Sequence, residues 1–525
     1  MNIFIDDGSH LKAKYTDRVV VSLGEKKSAK IILVNPPIPP KTYIHTTFPL
    51  IGLAYMAAIL EKHGHEVTVI DCPALKFTHE DLKREIANLE PDIVGITSVT
   101  VNFPSALQAA SAAKESYSRA LTVLGGPHAT FMDEQTLSER KEVDCIARAE
   151  CEYTILELAD HVSGNRPKNL QEIEGITFRK NGQILRTPDR KFIQDLDSLP
   201  RPAYKFFALE KYRYLGKMVF PIMASRGCPG NCAFCPGHKM PGRLVRKRSP
   251  KNVVDEIEWL RDELGADAYT FHDPLFTFDK KWVWEVCEEI QKRKINLPWD
   301  CTTRVDYVSK SILAKMKQAN CQIVGFGVES NSQKILNAMR KGTTTEQNER
   351  AVKMAKEVGL AFGLFLIIGY PGETVETLKE TLDFVRRADP DEVYISFPTP
   401  QPQTELYEKV KENGWKLSSD WSRFDNITPV FENPSFPPKA MIEARRKVFN
   451  QFYSPSNILR QSLKRTYYSR LMSRTALNYQ LMRIRLPRLI STILKKAMPQ
   501  RSALNRKQTG AIKAEKPHFE RKKLS

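Results

Sequence analysis

Twice along this chain, short apolar runs alternate with stretches of helical spacing. A chain with that rhythm folds as a parallel sheet covered by helices on both faces. The first block spans residues 30–163. "KIILVNPP" (Lys30 to Pro37) is a buried strand stopped by two prolines. "LIGLAYMAAILEKHGH" (Leu50 to His65) carries apolar residues at helical spacing and closes on a glycine. Strands in Glu66–Asp71, Asp92–Ser98, Leu121–His128 and "DCIARAE" then alternate with helices, which predicts a doubly wound domain of five strands. From Gly164 to Lys217 the alternation stops. "GITFRKNGQILRTP" predicts a hairpin turning at Asn181-Gly182, set in a proline-punctuated linker. The rhythm resumes at Met218 and yields six strand–helix units by Gly414. Six units curve toward a barrel without closing the eight of a full one. On such barrels the reactive groups sit at the C-terminal ends of the strands.

That position holds "CPGNCAFCP", directly after the first barrel strand "MVFPIMAS". Cys228, Cys232 and Cys235 are spaced C-x3-C-x2-C. The other six cysteines (Cys72, Cys145, Cys151, Cys287, Cys301, Cys321) are scattered and read as small buried hydrophobes. The N-terminus lacks the basic-then-apolar order of a signal peptide, and no run of about 18 apolar residues appears. A cytoplasmic protein is therefore expected. Cysteines there stay reduced, so a tight cluster points to metal or redox chemistry rather than disulfides. Iron–sulfur clusters normally take four Cys ligands. Supplying three leaves one iron open to a ligand from outside the protein. A second reading stands beside this one: His238 follows at C-x2-H, and Cys228, Cys232, Cys235 and His238 would make a Cys3His zinc site.

With "SRGCPGNCAFC" on the first strand of a six-unit barrel, residues 218–414 resemble the radical S-adenosylmethionine (SAM) superfamily, which has an aromatic residue before the last Cys, here Phe234. "FHDPLF", "GFGVES" and "LIIGYPGET" resemble the family's motifs after strands two, four and five, in order. The resemblance implies a [4Fe-4S] cluster held by Cys228, Cys232 and Cys235, with S-adenosyl-L-methionine on the open iron. One electron, from a donor such as flavodoxin or ferredoxin, then cleaves the sulfonium to methionine and a 5′-deoxyadenosyl radical, which abstracts hydrogen from an unreactive C–H bond. It further implies that Phe234 sits on the adenine side and that Glu329 accepts from the amino or ribose groups of SAM. Arg304 would pair its carboxylate bidentately, Asp273 would meet ligand or substrate, and Gly369 would let the backbone approach the adenine.

The N-terminal domain resembles the cobalamin-binding domain of cobalamin-dependent radical enzymes. Ser98 in "SVT", Gly125, Gly126 and His128 in "GGPHAT", and "RAECEYT" match that group's recurring loops at strand ends, where open α/β sheets bind ligands. The loop from Asn35 to Lys41 lacks the D-x-H-x-x-G motif that would supply a histidine to cobalt. Either cobalamin binds without a protein histidine, or the domain has kept the fold and lost the cofactor. A hydrogen-bonding role in its loop suits His128 better than cobalt ligation. The chain also lacks the second N-terminal cysteine cluster of tRNA methylthiotransferases.

Charge is concentrated at the C-terminus. Residues 451–525 hold 18 Lys and Arg against 2 Asp and Glu, so nearly all of the chain's net +19 lies there. "LPRLISTILKKAM" places Leu486, Leu489, Ile490, Ile493 and Leu494 on one helical stripe among basic residues. Contact of residues 451–507 with an anionic membrane is expected, and nucleic acid binding is not. "ARRKVFNQFYSPSNILRQSLKR" resembles the extension of the group that contains the anaerobic magnesium-protoporphyrin ester cyclase and the hopanoid and tetraether lipid enzymes. The fold class is α/β: a Rossmann-like doubly wound domain, a partial (β/α)6 TIM-like barrel, and a helical basic C-terminal tail. The boundaries are lead-in 1–29, cobalamin-binding-like domain 30–163, linker 164–217, barrel 218–414, extension 415–507 and disordered tail 508–525. The resemblance implies methylation or cyclisation at an unactivated carbon of a small apolar lipid or tetrapyrrole. The alternatives are a radical enzyme acting on tRNA or peptide, and a zinc-stabilised nucleic-acid-binding protein.

Overall fold

The computed structural model describes residues 27–39, 48–214, 216–452 and 454. The described residues up to Phe449 form one compact unit, and a second unit begins at Asn450. The lead-in up to residue 26 and nearly all of the basic tail lie outside the described residues.

Strands β1 (Lys30–Asn35), β2 (Glu66–Asp71), β3 (Ile93–Thr97), β4 (Leu121–Gly125) and β5 (Cys145–Ala147) are the five expected from the first block. They pair in parallel in the order β2-β1-β3-β4-β5. Their buried side chains point to both faces, as a two-sided parallel sheet requires. The helix Phe103–Ser116 presents Ala106, Ala109, Ala110 and Ala113, all fully buried, so it lies close against the strands.

The hairpin differs in placement from expectation. Strands β6 (Ile176–Lys180) and β7 (Gln183–Arg186) turn at Asn181 and Gly182, both with positive φ, as a two-residue turn demands. They do not form a separate linker element. β6 pairs antiparallel with β5 and extends the first sheet to seven strands. The cause is burial: Ile176 and Phe178 need a core, and β5 offers a free edge.

In the second block β8 (Arg213–Tyr214) is an antiparallel edge on β9 (Lys217–Ile222). A two-stranded ribbon follows, β10 (Ser225–Arg226) with β11 (Arg246–Lys247). Strands β12 (Ala268–Phe271), β13 (Trp299–Arg304), β14 (Cys321–Glu329), β15 (Ala361–Ile367) and β16 (Glu392–Ser396) complete a sheet ordered β16-β15-β14-β13-β12-β9-β8. The six long strands are parallel, as the six units predict. Ser249 caps the first barrel helix by accepting from the Asn252 N–H at 3.2 Å, with Pro250 in the first turn.

After Gly414 the chain does not leave the barrel. Leu417 bridges to Phe431, Trp415 stacks on Phe431, and Leu406, Tyr370 and Ile335 share their core. Residues 415–449 lie in the same compact unit as the barrel, and this segment buries Phe424, Phe431 and Met441. It also reaches the first sheet, where Trp421 lies 4.9 Å from His128. Among the described residues no helix is long and apolar enough to cross a membrane.

Candidate active site

The cysteine loop is pinched at its root by the β10–β11 ribbon. Gly227 opens it at φ +106°, and a Cβ there would lie 2.1 Å from the Leu244 carbonyl oxygen, so only glycine fits. Three backbone bonds then hold the loop: Cys228 N–H to Gly242, Ala233 N–H to Met339, and Leu406 N–H to Ala233. A Cβ on Gly230 would touch two sulfurs, at 3.4 Å from Cys228 Sγ and 3.8 Å from Cys232 Sγ. A Cβ on Gly237 would lie 3.0 Å from Cys235 Sγ. Glycine at both positions keeps the space around the sulfurs clear. Burial pushes the Cys235 thiol up to about 11 and raises that of Cys232. Thiolates at these two positions therefore require a cationic group that takes the place of their protons.

Among the described residues, no three His, Cys, Asp or Glu side chains converge as a single metal ion requires. In a cluster each thiolate takes its own iron, so convergence on one point is not needed.

All three cysteines line a cavity of about 600 Å³ at the C-terminal ends of the barrel strands. Phe234 is on its wall, edge-on to Tyr370 at 6.5 Å. So are Arg304 and Glu329, which the motifs had singled out. Glu329 sits at a register shift between β14 and β15 with φ +64°. The bulge turns its carboxylate into the cavity, a device common beside active sites. Lys341, which sequence reasoning missed, donates to Glu329 at 2.7 Å and is buried. Arg304 does not offer its fork to a ligand: Asp306 holds it bidentately at 2.8 and 2.9 Å. Its remaining Nη1 points to Cys232 Sγ at 3.7 Å.

Other expected contacts are built differently. Asp273 is buried and accepts from the backbone N–H groups of Ala224 and Ser225, just before the cysteine loop. Burial pushes its carboxyl up to about 7, and the two backbone N–H groups it accepts from fix the strand end before the cysteine loop. Gly369 has φ +89°, and a Cβ there would lie 2.6 Å from the Met441 Cγ. Its carbonyl accepts from Asn433.

In the first sheet, Ser98 is fully buried and donates to the Gly125 carbonyl. Gly126 packs against it so closely that a Cβ would lie 2.5 Å from the Ser98 carbonyl oxygen. His128 is sandwiched between Phe103 and Trp421, with Nδ1 3.3 Å from Thr100 Oγ1. Burial lowers its pKa to about 3, so it is neutral. Ser98 and His128 thus shape the loops, and Val99, Thr100, Val101 and Pro127 from those loops reach the cluster cavity. None of these four can ligate cobalt as a histidine would. Gly125, Gly126 and Cys151 line a second, small apolar cavity between the strand ends and Leu53, Met56 and Ile155. Cys151 is thereby distinguished from the five other scattered cysteines, which are buried in core.

"RAECEY" has a different task from the ligand contact its position suggested. Arg148 holds the hairpin through Thr177, the Thr187 carbonyl and Asp189. Glu150 accepts from Arg246 at 2.6 and 2.9 Å and lies 3.4 Å from Arg226. Glu152 accepts from Arg226 at 2.5 Å. Burial alone would raise the Glu150 carboxyl, but Arg246 and Arg226 hold it below the usual range. Arg226 and Arg246 are paired residues of the ribbon that carries the cysteine loop. Two glutamates of the first sheet therefore clamp the root of the cluster loop.

Two family models match this chain: the B12 binding domain over residues 42–159 and the Radical SAM superfamily over residues 222–385. An uncharacterized methyltransferase of Pyrococcus horikoshii is 35% identical over 436 residues, covering 82% of this chain and 94% of its own. The anaerobic magnesium-protoporphyrin IX monomethyl ester cyclase of Rubrivivax gelatinosus is 31% identical over 414 residues, 77% of this chain and 74% of its own. Among solved structures, the cobalamin-dependent S-adenosylmethionine radical enzyme OxsB matches with a TM-score of 0.66 at 17% identity, over 87% of this chain and 71% of that one. The radical S-adenosylmethionine methyltransferase TsrM from Kitasatospora setae matches with a TM-score of 0.63 at 19% identity, over 74% of this chain and 75% of that one. Those two likenesses show the shared fold. The chain belongs to the radical SAM superfamily, in the group with a B12-binding domain ahead of the barrel. It is a radical SAM enzyme of methyltransferase or cyclase type, with a [4Fe-4S] cluster and S-adenosyl-L-methionine as its cofactors.

Breaking a buried ion pair by removing one partner costs roughly 3–5 kcal/mol. Glu150→Ala is expected to lower the urea midpoint of the chain and the iron retained per chain together. An unchanged midpoint with full iron content would show that the clamp does not hold the loop.

Proposed function

We propose that this enzyme methylates an unactivated carbon of an apolar substrate, of lipid or tetrapyrrole class, held in the cavity between the cysteine loop and the B12-type domain. The observation that carries this reading is the pairing of charge on the cavity wall. Its charged lining residues are Arg304, Glu329 and Lys341, and they are engaged with Asp306 and with each other. The rest of the wall includes Phe365, Leu366, Ile367, Phe397 and Phe424. Across from them Val99, 42% exposed, supplies apolar surface from the B12-type domain. A substrate with a formal charge in this space would find no free partner among these residues, whereas an apolar one loses little by leaving water.

Cys228, Cys232 and Cys235 hold the cluster, which supplies the electron for cleavage of SAM. Lys341 and Glu329 provide a donor and an acceptor for the polar groups of SAM, and Phe234 covers its ring. The C-terminal ends of β1, β3 and β4 would hold cobalamin without a histidine from the described loops, and cobalamin there would supply the methyl group. Excluding water from the apolar wall protects a carbon radical until it is methylated. A second reading, radical cyclisation, is favoured by the 31% identity to the magnesium-protoporphyrin ester cyclase.

Anaerobically reconstituted enzyme with strong reductant is expected to form 5′-deoxyadenosine from SAM, and Cys232→Ala is expected to abolish it. Equal yields from both proteins would refute the reading. The basic residues 451–507 would bring the enzyme to an anionic membrane where such a substrate resides. Vesicles containing phosphatidylglycerol are expected to float the full chain at low salt but not a chain ending at residue 450; equal flotation removes the membrane contact.

A further inference from the structure

Uncharged polar side chains also line the large cavity, and they divide into two sets. Thr100, Thr303 and Thr399 are engaged within the protein, with His128, Thr277 and the Phe397 carbonyl. Thr302, Ser396, Gln401 and Asn426 make no side-chain hydrogen bond to another described residue. The last three gather at one place. Ser396 ends β16, and the next residue, Phe397, donates its N–H to the Asn426 carbonyl at 2.7 Å. Gln401 follows on the same segment. Both amide residues have their backbone committed and their tips free. The Gln401 carbonyl accepts from Thr404, from its N–H at 3.1 Å and its hydroxyl at 2.6 Å. Asn426 has φ +64°, in the left-handed region that Asn tolerates better than most residues. Asp425 sets this turn by accepting from the Ile427 and Thr428 N–H groups at 3.0 and 2.7 Å. The turn holds the Asn426 amide on the cavity wall.

We propose that this rim after β16 recognises an uncharged oxygen on the substrate: a ketone, ester or hydroxyl oxygen that accepts from the Gln401 and Asn426 side-chain N–H groups. The inference rests on the apolar-substrate reading above and adds the polar group that such a substrate carries. Water reaches both amides in the open cavity, since Gln401 is half-buried and Asn426 exposed. A substrate that fills the space displaces that water. A wholly hydrocarbon one leaves two amides unpaired, which is the costly case, whereas an oxygen acceptor restores the lost bonds. A carboxylate accepts as well, but its charge needs a cation once it leaves water. Arg304 and Lys341 are already held by Asp306 and Glu329. A neutral amide donor therefore selects a neutral oxygen. A site built to bond an oxygen rejects the analogue lacking it far more sharply than an apolar wall rejects one methylene. Fixing one end of the substrate at the rim also fixes which carbon faces the reacting centre.

The test uses a matched pair of probes on the anaerobically reconstituted holoenzyme. One is prodan, an uncharged naphthyl ketone; the other is its propyl analogue, in which a methylene replaces the carbonyl. Binding of each is measured by equilibrium dialysis. In Gln401→Met/Asn426→Gly the Kd of the ketone is expected to rise about tenfold. That of the propyl analogue is expected to stay within about twofold, so that the difference between probes cancels any change in cavity volume. Glycine at 426 keeps the positive φ without strain, and proteins are compared at equal iron content. Asn426→Asp, which keeps the shape and loses the amide N–H groups, is expected to weaken the ketone alone. Equal changes for both probes would overturn the proposal, as would an unchanged Kd for the ketone in both variants. A failure of the apolar-cavity reading would look different: neither probe would then bind the parent protein more tightly than Thr302→Trp, whose indole takes up cavity space.

Discussion

Glu150 and Glu152 clamp Arg226 and Arg246, and the geometry of the site depends on that buried contact. Both arginines are only about 5% exposed. Charges so far from water are tolerated only when paired and fully hydrogen-bonded. Here the carbonyls of Ile193 and Pro241 each accept a further hydrogen from Arg246 Nη1 and Nη2. The clamp fixes the two ends of the cysteine loop to the segment that follows β5 of the first sheet. The B12-type domain is thereby built into the mounting of the cluster and is not an independent module placed beside it. The segment after the barrel reinforces this, with Trp421 against His128 and Gln403 donating to the Phe131 carbonyl.

The consequence is a cavity with walls from both domains. On the barrel side the charged groups are few and engaged, Arg304 with Asp306 and Glu329 with Lys341, and uncharged polar residues such as Thr302, Ser396, Gln401 and Asn426 also line the wall. Two cations, Lys341 and Arg304, lie beside Cys232 and favour its thiolate against the cost of burial. On the other side the loops after β3 and β4 contribute Val99, Val101 and Pro127. Formal charge on the wall is thus confined to Arg304, Glu329 and Lys341, and the rest of the lining is uncharged. That division suits a reaction in which a reactive radical must meet only the carbon intended for it.

The architecture was legible in the sequence because its signals are local. Alternating apolar runs and helical stretches marked all eleven parallel strands, and C-x3-C-x2-C marked the cluster loop within a few residues. What was not legible depends on distance along the chain. Lys341 meets Glu329 across 12 residues and a bulge that no periodicity announces. Arg246 and Glu150 are 96 residues apart, so "RAECEY" looked like a ligand loop when its carboxylates were already committed. Asp306 took the Arg304 fork, and Met441 took the space beside Gly369, from segments with no motif of their own. The hairpin at Asn181-Gly182 was read correctly as a hairpin, but its partner, the free edge of β5, is a fact of packing.

The central claim is that cluster and cobalamin share one cavity held by the clamp. Electron paramagnetic resonance of anaerobic enzyme loaded with cob(II)alamin and a reduced cluster tests it directly, since both centres then carry unpaired spin. The account predicts that reducing the cluster broadens or splits the cobalt signal through dipolar coupling, and that Cys232→Ala removes the effect. A cobalt spectrum identical with oxidised and with reduced cluster, at full occupancy of both, would contradict it.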